Sequence, residues 1–267
     1  MYHSFPSMGG SDQAGLSVLK SIARHGLLLT PEDFKVGIDW SDGYQETVGF
    51  AQTRICFTLI ASEELPQHAD SFGRFAIEYD VSVLKRLGAS PVFYLAAGGT
   101  EIVGSLMTLN DLIAELRSDA PEFAQVWDEK PHTRSLDHLE ASIHGLSGYF
   151  YPVGSGAYED DVRYFQEREW RIISRITQHG VALTEKLNPT IKEELVSMDP
   201  GYFEEEVPTL NGLKRRVDVC HLLPEHEGTH VLDLARRVIV PASALSYAAQ
   251  IVDEEGRSVS VEPAWWD

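Results

Sequence analysis

The residues best suited to chemistry in this sequence are two glutamates and an arginine at alternating positions, Glu167, Glu169 and Arg171. The run from about 162 to 173 is typical of a β-strand, whose side chains alternate between two faces, so these three are expected to share an exposed face. The carboxylates would lie about 6–7 Å apart, close enough for each to raise the other's pKa, with Arg171 opposing that shift. Such a pair could stabilise an oxocarbenium-like charge and orient a nucleophile. The alternative is an edge strand with solvated ion pairs.

A second pattern, His226-Glu227-Gly228-Thr229-His230, matches H-E-x-x-H. On a helix this spacing places two imidazoles on one face for zinc, with Glu227 as general base of a metallopeptidase. Pro224 and Gly228 disfavour a helix here, and the branched residues that follow favour strands. The zinc reading is therefore kept as an alternative and not as the main hypothesis.

The elements that would position these residues alternate between short strands and helices. Ser11 or Asp12 is expected to cap a helix that carries Leu19 and ends at Gly26. After Leu27–Leu29, Thr30-Pro31 is expected to lead into an aromatic, acidic loop. Further helices are expected over Val81–Leu87 and between Ile102 and Trp127. Strands are expected at Tyr2–Phe5, Arg54–Ile60, Phe75–Tyr79, Pro91–Leu95, Val217–Val219 and Arg237–Val240.

Composition limits the class of protein. The 267 residues, 43% of them hydrophobic, are sufficient for a folded core. The net charge of −19 repels nucleic-acid phosphates, so no broad nucleic-acid surface is expected. The start of the chain lacks the pattern of a secretory signal, and no apolar run reaches the roughly 20 residues of a membrane span. With only two cysteines, far apart, these features favour a cytoplasmic protein without a disulfide framework.

Six short segments, in this order and spacing, resemble the bacterial abortive-infection AbiGi family. They run through roughly the first two thirds of the chain. The segments are Tyr2–Phe5, Leu19–Leu27, Ile55–Thr58, Phe72–Ile77, Pro91–Tyr94 and Phe165–Arg171. The AbiGi label is often attached to an antitoxin role, so the resemblance implies phage defence or a toxin–antitoxin setting, with a protein partner encoded nearby.

More distantly, the Tyr2-His3 start and the helix that ends at Gly26 resemble ADP-ribosyltransferase-fold proteins such as the DarT toxins. That resemblance implies NAD as cofactor, with His3 holding a ribose. It also implies that Glu169 is catalytic and that Glu167 orients the nucleophile, while Arg171 would hold the carboxylates or a phosphate. For the position that lines the nicotinamide pocket there are three candidates, which are Thr58, Tyr79 and Tyr94.

The resulting expectation is an α/β (α+β) protein with one mixed-sheet, ADP-ribosyltransferase-like domain over residues 1–267. An insertion is expected around 102–148 and a C-terminal extension over 200–267. The expected function is transfer of ADP-ribose to a macromolecule in phage defence. A catalytically silent, antitoxin-like protein-binding module is the alternative, for which the acidic charge would supply the binding surface.

Overall fold

The residues at the two ends of the first helix determine where it begins and where it ends. In a computed structural model of the protein, α1 spans Asp12–His25, and the Oγ of Ser11 accepts a hydrogen bond from Ala14 N at 3.2 Å. Gly26 ends the helix with φ 103°, a conformation that glycine adopts without steric cost. Leu19 lies on its fully buried face. The predicted N-cap and stop are thus confirmed, with Ser11 as the cap.

The structure describes residues 1–6, 10–39, 45–95, 100–119, 136–152, 168–174, 177–178, 181–209 and 212–266. Their further helices, in chain order, are α2 Leu65–Phe72, α3 Val81–Arg86, α4 Thr100–Asp119, α5 Leu136–Ser147, α6 Pro189–Met198, α7 Pro200–Phe203, α8 Arg216–Val219 and α9 Leu245–Glu254. Three 3-10 turns cover Ser62–Glu64, Val231–Leu234 and Ala242–Ala244. No helix in this described part of the chain is both long and apolar enough to cross a membrane.

Ten strands of the described residues form one mixed sheet. These strands are β1 Tyr2–Phe5, β2 Leu27–Asp39, β3 Gln45–Thr58, β4 Phe75–Glu78, β5 Ser90–Pro91, β8 Glu169–Ile173, β11 Glu185–Lys186, β14 His221–Leu223, β17 Arg237–Val240 and β18 Val261–Pro263. The main path of the sheet runs β11-β14-β2-β3-β1-β4-β17-β18, with β8 paired to β3 and β5 paired to β8. The strands outside it are β6 Phe93–Leu95, β7 Phe150–Pro152, β9 Thr177–Gln178, β10 Val181–Ala182, β12 Glu206–Thr209, β13 Gly212–Arg215, β15 Glu225–His226 and β16 Thr229–His230. The mixed α/β class is therefore confirmed.

The two faces of the central strands differ in character. One face carries the largest core cluster, in which Phe57 of β3, Phe75 and Ile77 of β4 and Val238 of β17 are buried with Leu19 of α1. Alternate residues of the same strands point to the other face, where buried polar side chains occur beside apolar ones. The polar side chains discussed below lie on this second face.

Two predicted elements differ from the structure. The expected loop after Pro31 is instead strand β2, and Phe34, Val36 and Ile38 already alternate with polar or glycine residues at a strand's period of two. The expected strand Val217–Val219 is part of helix α8, because Val217 packs into a core cluster with Leu195 of α6 and Phe203 of α7, and these contacts override β-propensity.

The chain forms two compact units. The first comprises Met1–Glu32, Gln52–Pro91 and Glu167–Asp267, and the second comprises Asp33–Ala51 and Val92–Gln166. In the second unit, α4 and α5 share a small core of Leu106, Ile113, Leu136 and Ile143. The single domain with an insertion around 102–148 and an extension over 200–267 stays a prediction.

Candidate functional site

The structure brings Thr58, Glu169 and Arg171 together on neighbouring strands. Strand β8 runs antiparallel to β3, with Glu169 opposite Thr58 and Arg171 opposite Cys56. Directly opposed residues of an antiparallel pair project from the same face, so these four side chains share one face. Trp170 and Ile172 project from the other face into the main core. The predicted alternation is therefore confirmed for residues 169–172.

Glu169 and Arg171 form a buried, two-pronged ion pair. The Nε of Arg171 donates to Oε1 of Glu169 at 2.8 Å, and its Nη2 donates to Oε2 at 3.0 Å. The Arg171 side chain is 0% exposed and that of Glu169 12%, so the expected exposed face is a buried one. Burial alone would raise the pKa of Glu169, but Arg171, Arg54 and the Cys56 thiol together lower it. The expected opposing effect of Arg171 is therefore confirmed, and Glu169 is held as a carboxylate; the effect of Glu167 lies outside the described residues.

A second arginine, Arg54, extends this buried group. It lies two residues before Cys56 on the same face of β3, pairs with Glu32, and donates to Oε1 of Gln52 at 3.4 Å. Burial disfavours its charge, but the negative groups around it, Glu32 and Glu169 among them, raise the pKa of Arg54 above its ordinary value. We call Glu32, Gln52, Arg54, Cys56, Glu169 and Arg171 the buried polar network; Glu32 lies at its outer end, with its side chain 47% exposed.

The network also keeps Cys56 neutral. Burial, followed by the nearby carboxylates Glu169 and Glu32, raises the pKa of the Cys56 thiol well above its ordinary value. A thiol is a poor nucleophile compared with a thiolate, so Cys56 has no sign of nucleophilic activation. The sequence predicts the segment Arg54–Ile60 as a strand, and that prediction does not separate its polar face from its apolar one. The polar residues at every second position, Gln52, Arg54, Cys56 and Thr58, were the available signal.

Glu167, the predicted partner of Glu169, lies outside the described residues. Strand β8 begins at Glu169, and the residue before it, Arg168, has φ 45°. A residue with positive φ interrupts the alternation of side chains along a strand. The expectation that Glu167 and Glu169 lie about 6–7 Å apart on one face therefore does not follow from the geometry of β8. Arg168 itself binds both carboxylate oxygens of the exposed Glu64 at 2.6 Å.

His3 lies on the opposite face of the sheet from Glu169. Its neighbour Tyr2 pairs with Thr58 and so projects from the face of Glu169, which leaves His3 on the core side. There the imidazole contacts the ring of Phe57 at 5.6 Å, and its Nδ1 donates to the carbonyl oxygen of Cys56 at 2.9 Å. Burial lowers the pKa of His3 despite that hydrogen bond. His3 and Glu169 therefore do not face a common cleft in this sheet.

The other two candidates for the nicotinamide pocket are Tyr79 and Tyr94. Tyr79 is 1% exposed, its ring meets Phe57 edge-on at 5.9 Å, and its hydroxyl donates to the Val231 carbonyl at 3.3 Å. Burial raises its pKa. Tyr94 belongs to β6 in the second compact unit and contacts the ring of Tyr151. Thr58 is the candidate that lies directly opposite Glu169 in the first compact unit.

The H-E-x-x-H residues form a β-hairpin and not a helix. His226 in β15 pairs with Thr229, and Glu225 pairs with His230 in β16, so the two imidazoles project from opposite faces. Glu227 and Gly228 make the turn, with φ 51° and 77°. Among the residues that the structure describes, no group of three His, Cys, Asp or Glu side chains is arranged to hold a metal ion. The helical zinc geometry expected of a metallopeptidase is therefore wrong for this segment.

Comparison with known proteins decides the family. The model of a family described as "Putative abortive phage resistance protein AbiGi, antitoxin" matches residues 44–207, more than half of the chain. The chain belongs to the AbiGi family. The match contains β3, β4 and β8, and therefore most of the buried polar network of this AbiGi protein. No curated protein and no solved structure matches the chain.

Proposed function

We propose that this AbiGi protein is an antitoxin-like binding protein of an abortive phage-defence system, which acts by holding a toxin partner. The observation that carries the proposal is the state of Glu169, which is buried and ion-paired to Arg171 on the face opposite His3. The family description, which names an antitoxin, supports the same role.

The buried polar network resembles a structural ion-pair cluster more than a catalytic one. A carboxylate that stabilises an oxocarbenium ion must face the sugar, whereas both oxygens of Glu169 already accept hydrogen bonds from Arg171. Two arginines and two glutamates balance their charges inside the network. Buried ion pairs of this kind fix one arrangement of neighbouring strands, since removal of either partner leaves an uncompensated charge.

The charge of the chain indicates which partner it holds. At −19 the protein attracts basic surfaces and accelerates their encounter, particularly at low ionic strength. A basic toxin is therefore the favoured partner. We expect the complex to weaken as salt is added, because exposed charges are screened beyond about 10 Å at 0.1 M ionic strength.

The test is neutralisation of a toxin. The product of the reading frame adjacent to the one that encodes this chain is expressed in a bacterial host, with and without the chain. We expect growth arrest by the neighbour alone, rescue when the chain is present, and a purified complex of fixed stoichiometry. A neighbour that arrests growth equally in the presence of well-expressed chain would overturn the proposal.

The rival proposal is NAD-dependent ADP-ribosyl transfer with Glu169 as the catalytic carboxylate, which the cluster of Thr58, Glu169 and Arg171 favours. Release of nicotinamide from NAD is measured for the purified chain, for Glu169→Gln and for Glu78→Gln. Glu78 is a matched control because it is also a buried carboxylate, paired with Arg237. Nicotinamide release that is lost in Glu169→Gln and kept in Glu78→Gln would establish the transferase, whereas no release from the wild-type chain rejects it.

A further inference from the structure

Helices α4 and α5 expose an unusual amount of apolar surface. Among the described residues, eleven large hydrophobic side chains are exposed, and five of them belong to these two helices. The five are Ile102, Leu109 and Leu112 of α4 and Leu139 and Leu146 of α5, each 37–49% exposed. Clustered apolar exposure of this kind marks interaction sites more often than scattered single residues do.

The exposed side chains form a stripe on each helix, next to the stripe that is already buried. On α4, Leu106 and Ile113 face the shared core, and Ile102 and Leu109, seven residues apart, lie directly beside them. On α5, Leu139 and Leu146 repeat the same spacing of seven. The shared core therefore uses only part of the apolar face of each helix. We call the five exposed side chains the α4–α5 apolar surface.

Acidic side chains border this surface on α4. Glu115 is three residues after Leu112, and Asp119 is seven residues after it, so both lie on the neighbouring helix face. Both side chains are exposed. A second copy of the same chain would bring like charges together around an apolar contact, which costs energy. A partner with an apolar patch bordered by Lys or Arg complements both features.

We propose that the α4–α5 apolar surface, with Glu115 and Asp119 at its border, is the docking site for a basic partner protein. This inference rests on the proposed antitoxin function and names the surface through which the toxin is held. The apolar side chains supply the buried centre of the interface, which in protein–protein interfaces contains few charged residues. The carboxylates at the border select a basic partner. Helices α4 and α5 lie inside the 44–207 match to the AbiGi family.

The test measures binding of the purified product of the adjacent reading frame to the full chain. The double variant Leu109→Ala/Leu112→Ala removes the centre of the surface and keeps a strong helix former at both positions. Leu213→Ala and Tyr247→Ala are matched controls, since their side chains are 64% and 62% exposed and lie outside the surface. We expect the double variant to raise Kd about thirtyfold and the controls to change it by less than about twofold.

A charge variant tests the border separately. We expect Glu115→Lys/Asp119→Lys to slow association and to reduce its dependence on salt, while Asp253→Lys, an exposed acidic residue of α9, leaves both nearly unchanged.

Two results would overturn this inference and leave the proposed antitoxin function standing. One is wild-type affinity in the double variant while the wild-type chain still neutralises the toxin. The other is a chain that sediments as a dimer by itself and becomes monomeric in Leu109→Ala/Leu112→Ala, which would make a second copy the occupant. A wild-type chain that neither binds nor neutralises the neighbour would instead reject the proposed function, and the docking site with it.

Discussion

At the scale of single residues, Arg171 is the most deeply buried charged side chain in the part of the chain that the structure describes. Its side chain has no exposed surface, and its guanidinium donates to both carboxylate oxygens of Glu169. A buried guanidinium without a counter-charge costs several kcal/mol, so the carboxylate is needed for folding whatever else it does. Substitution of Glu169 therefore tests stability at the same time as activity.

Glu169→Gln is expected to lower the free energy of unfolding by about 3 kcal/mol, because it leaves Arg171 buried with a weaker partner. Urea denaturation followed by circular dichroism measures this. The control is Glu64→Gln, which removes the exposed partner of Arg168 and should change stability little. Equal stability of the two variants would show that the buried polar network does not support the fold.

Acid is expected to destabilise the protein through His68. Burial, and then the nearby His3, lowers the pKa of His68 to about 4. The unfolded chain, with a pKa of about 6.5, then binds more protons than the folded one between pH 6.5 and 4. The stability from His68 is complete above about pH 6.5 and falls as pH decreases, by at most about 1.4 kcal/mol per unit. His230, whose pKa is also about 4, acts in the same direction.

Denaturation at several pH values checks this, together with the variant His68→Gln. We expect the variant to lose part of the slope between pH 6.5 and 4. An NMR titration of the His68 ring near its ordinary pKa, or an unchanged slope in the variant, would contradict the expected burial.

Several of these residue-level features could be predicted from the sequence and others could not. The placement of Glu169 and Arg171 on one face, with Trp170 and Ile172 on the other, follows from the two-residue period of side chains along a strand. Burial of the charged face did not, because only pairing with β3 brings Arg171 beside Cys56 and into the interior. The left-handed Arg168 gives no signal in its residue type, so the change of alternation before Glu169 was not foreseeable.

At the scale of elements, residues close in sequence predict where α1 begins and ends. They do not predict how far the long strands extend. Ser11 and Gly26 act through contacts within a few residues, which the sequence displays directly. Strand β2 depends on pairing with β3 and β14, which are contributed by distant parts of the chain. For the same reason α8 was predicted as a strand, since its helical state depends on packing against other elements.

Two glycines with positive φ should differ sharply in their tolerance of alanine. A Cβ at Gly26 would lie 2.4 Å from the carbonyl oxygen of Leu223, whereas one at Gly228 would meet nothing within 4 Å. We expect Gly228→Ala to cost about 1 kcal/mol of backbone strain and Gly26→Ala at least about 3 kcal/mol, because β14 must move away from α1. Thermal denaturation of both variants measures the difference. Similar costs would mean that α1 and β14 are less closely packed than described.

At the scale of the whole molecule, the charge of −19 is both a binding property and a cost to the folded state. Like charges are closer together in the folded chain than in the unfolded one, so their repulsion favours unfolding. The net charge can be read from the sequence, because it depends only on composition. The sequence could not predict where the acidic residues border apolar surface, since that depends on which face of α4 packs against α5.

Salt is expected to stabilise the free chain. Raising ionic strength from about 0.01 M to about 1 M shortens the screening length from about 30 Å to about 3 Å and weakens the repulsion. We expect Tm to rise by several degrees in sodium chloride, a salt with little effect on apolar burial. A Tm that falls with salt would indicate that attractive ion pairs, such as that of Arg24 with Glu255, outweigh the repulsion.

The order of strands in the sheet also affects how the protein is made. Strand β4 lies between β1 and β17, and it pairs with β17 through Glu78 opposite Arg237, so the two paired strands are 159 residues apart in the chain. Such distant pairing slows folding, because the entropy of closing the loop is lost before the contacts form. During synthesis, β4 keeps an unpaired edge until β17 has left the ribosome, and unpaired strand edges promote aggregation. We therefore expect truncation before residue 237, which removes β17, to reduce the yield of soluble protein on expression.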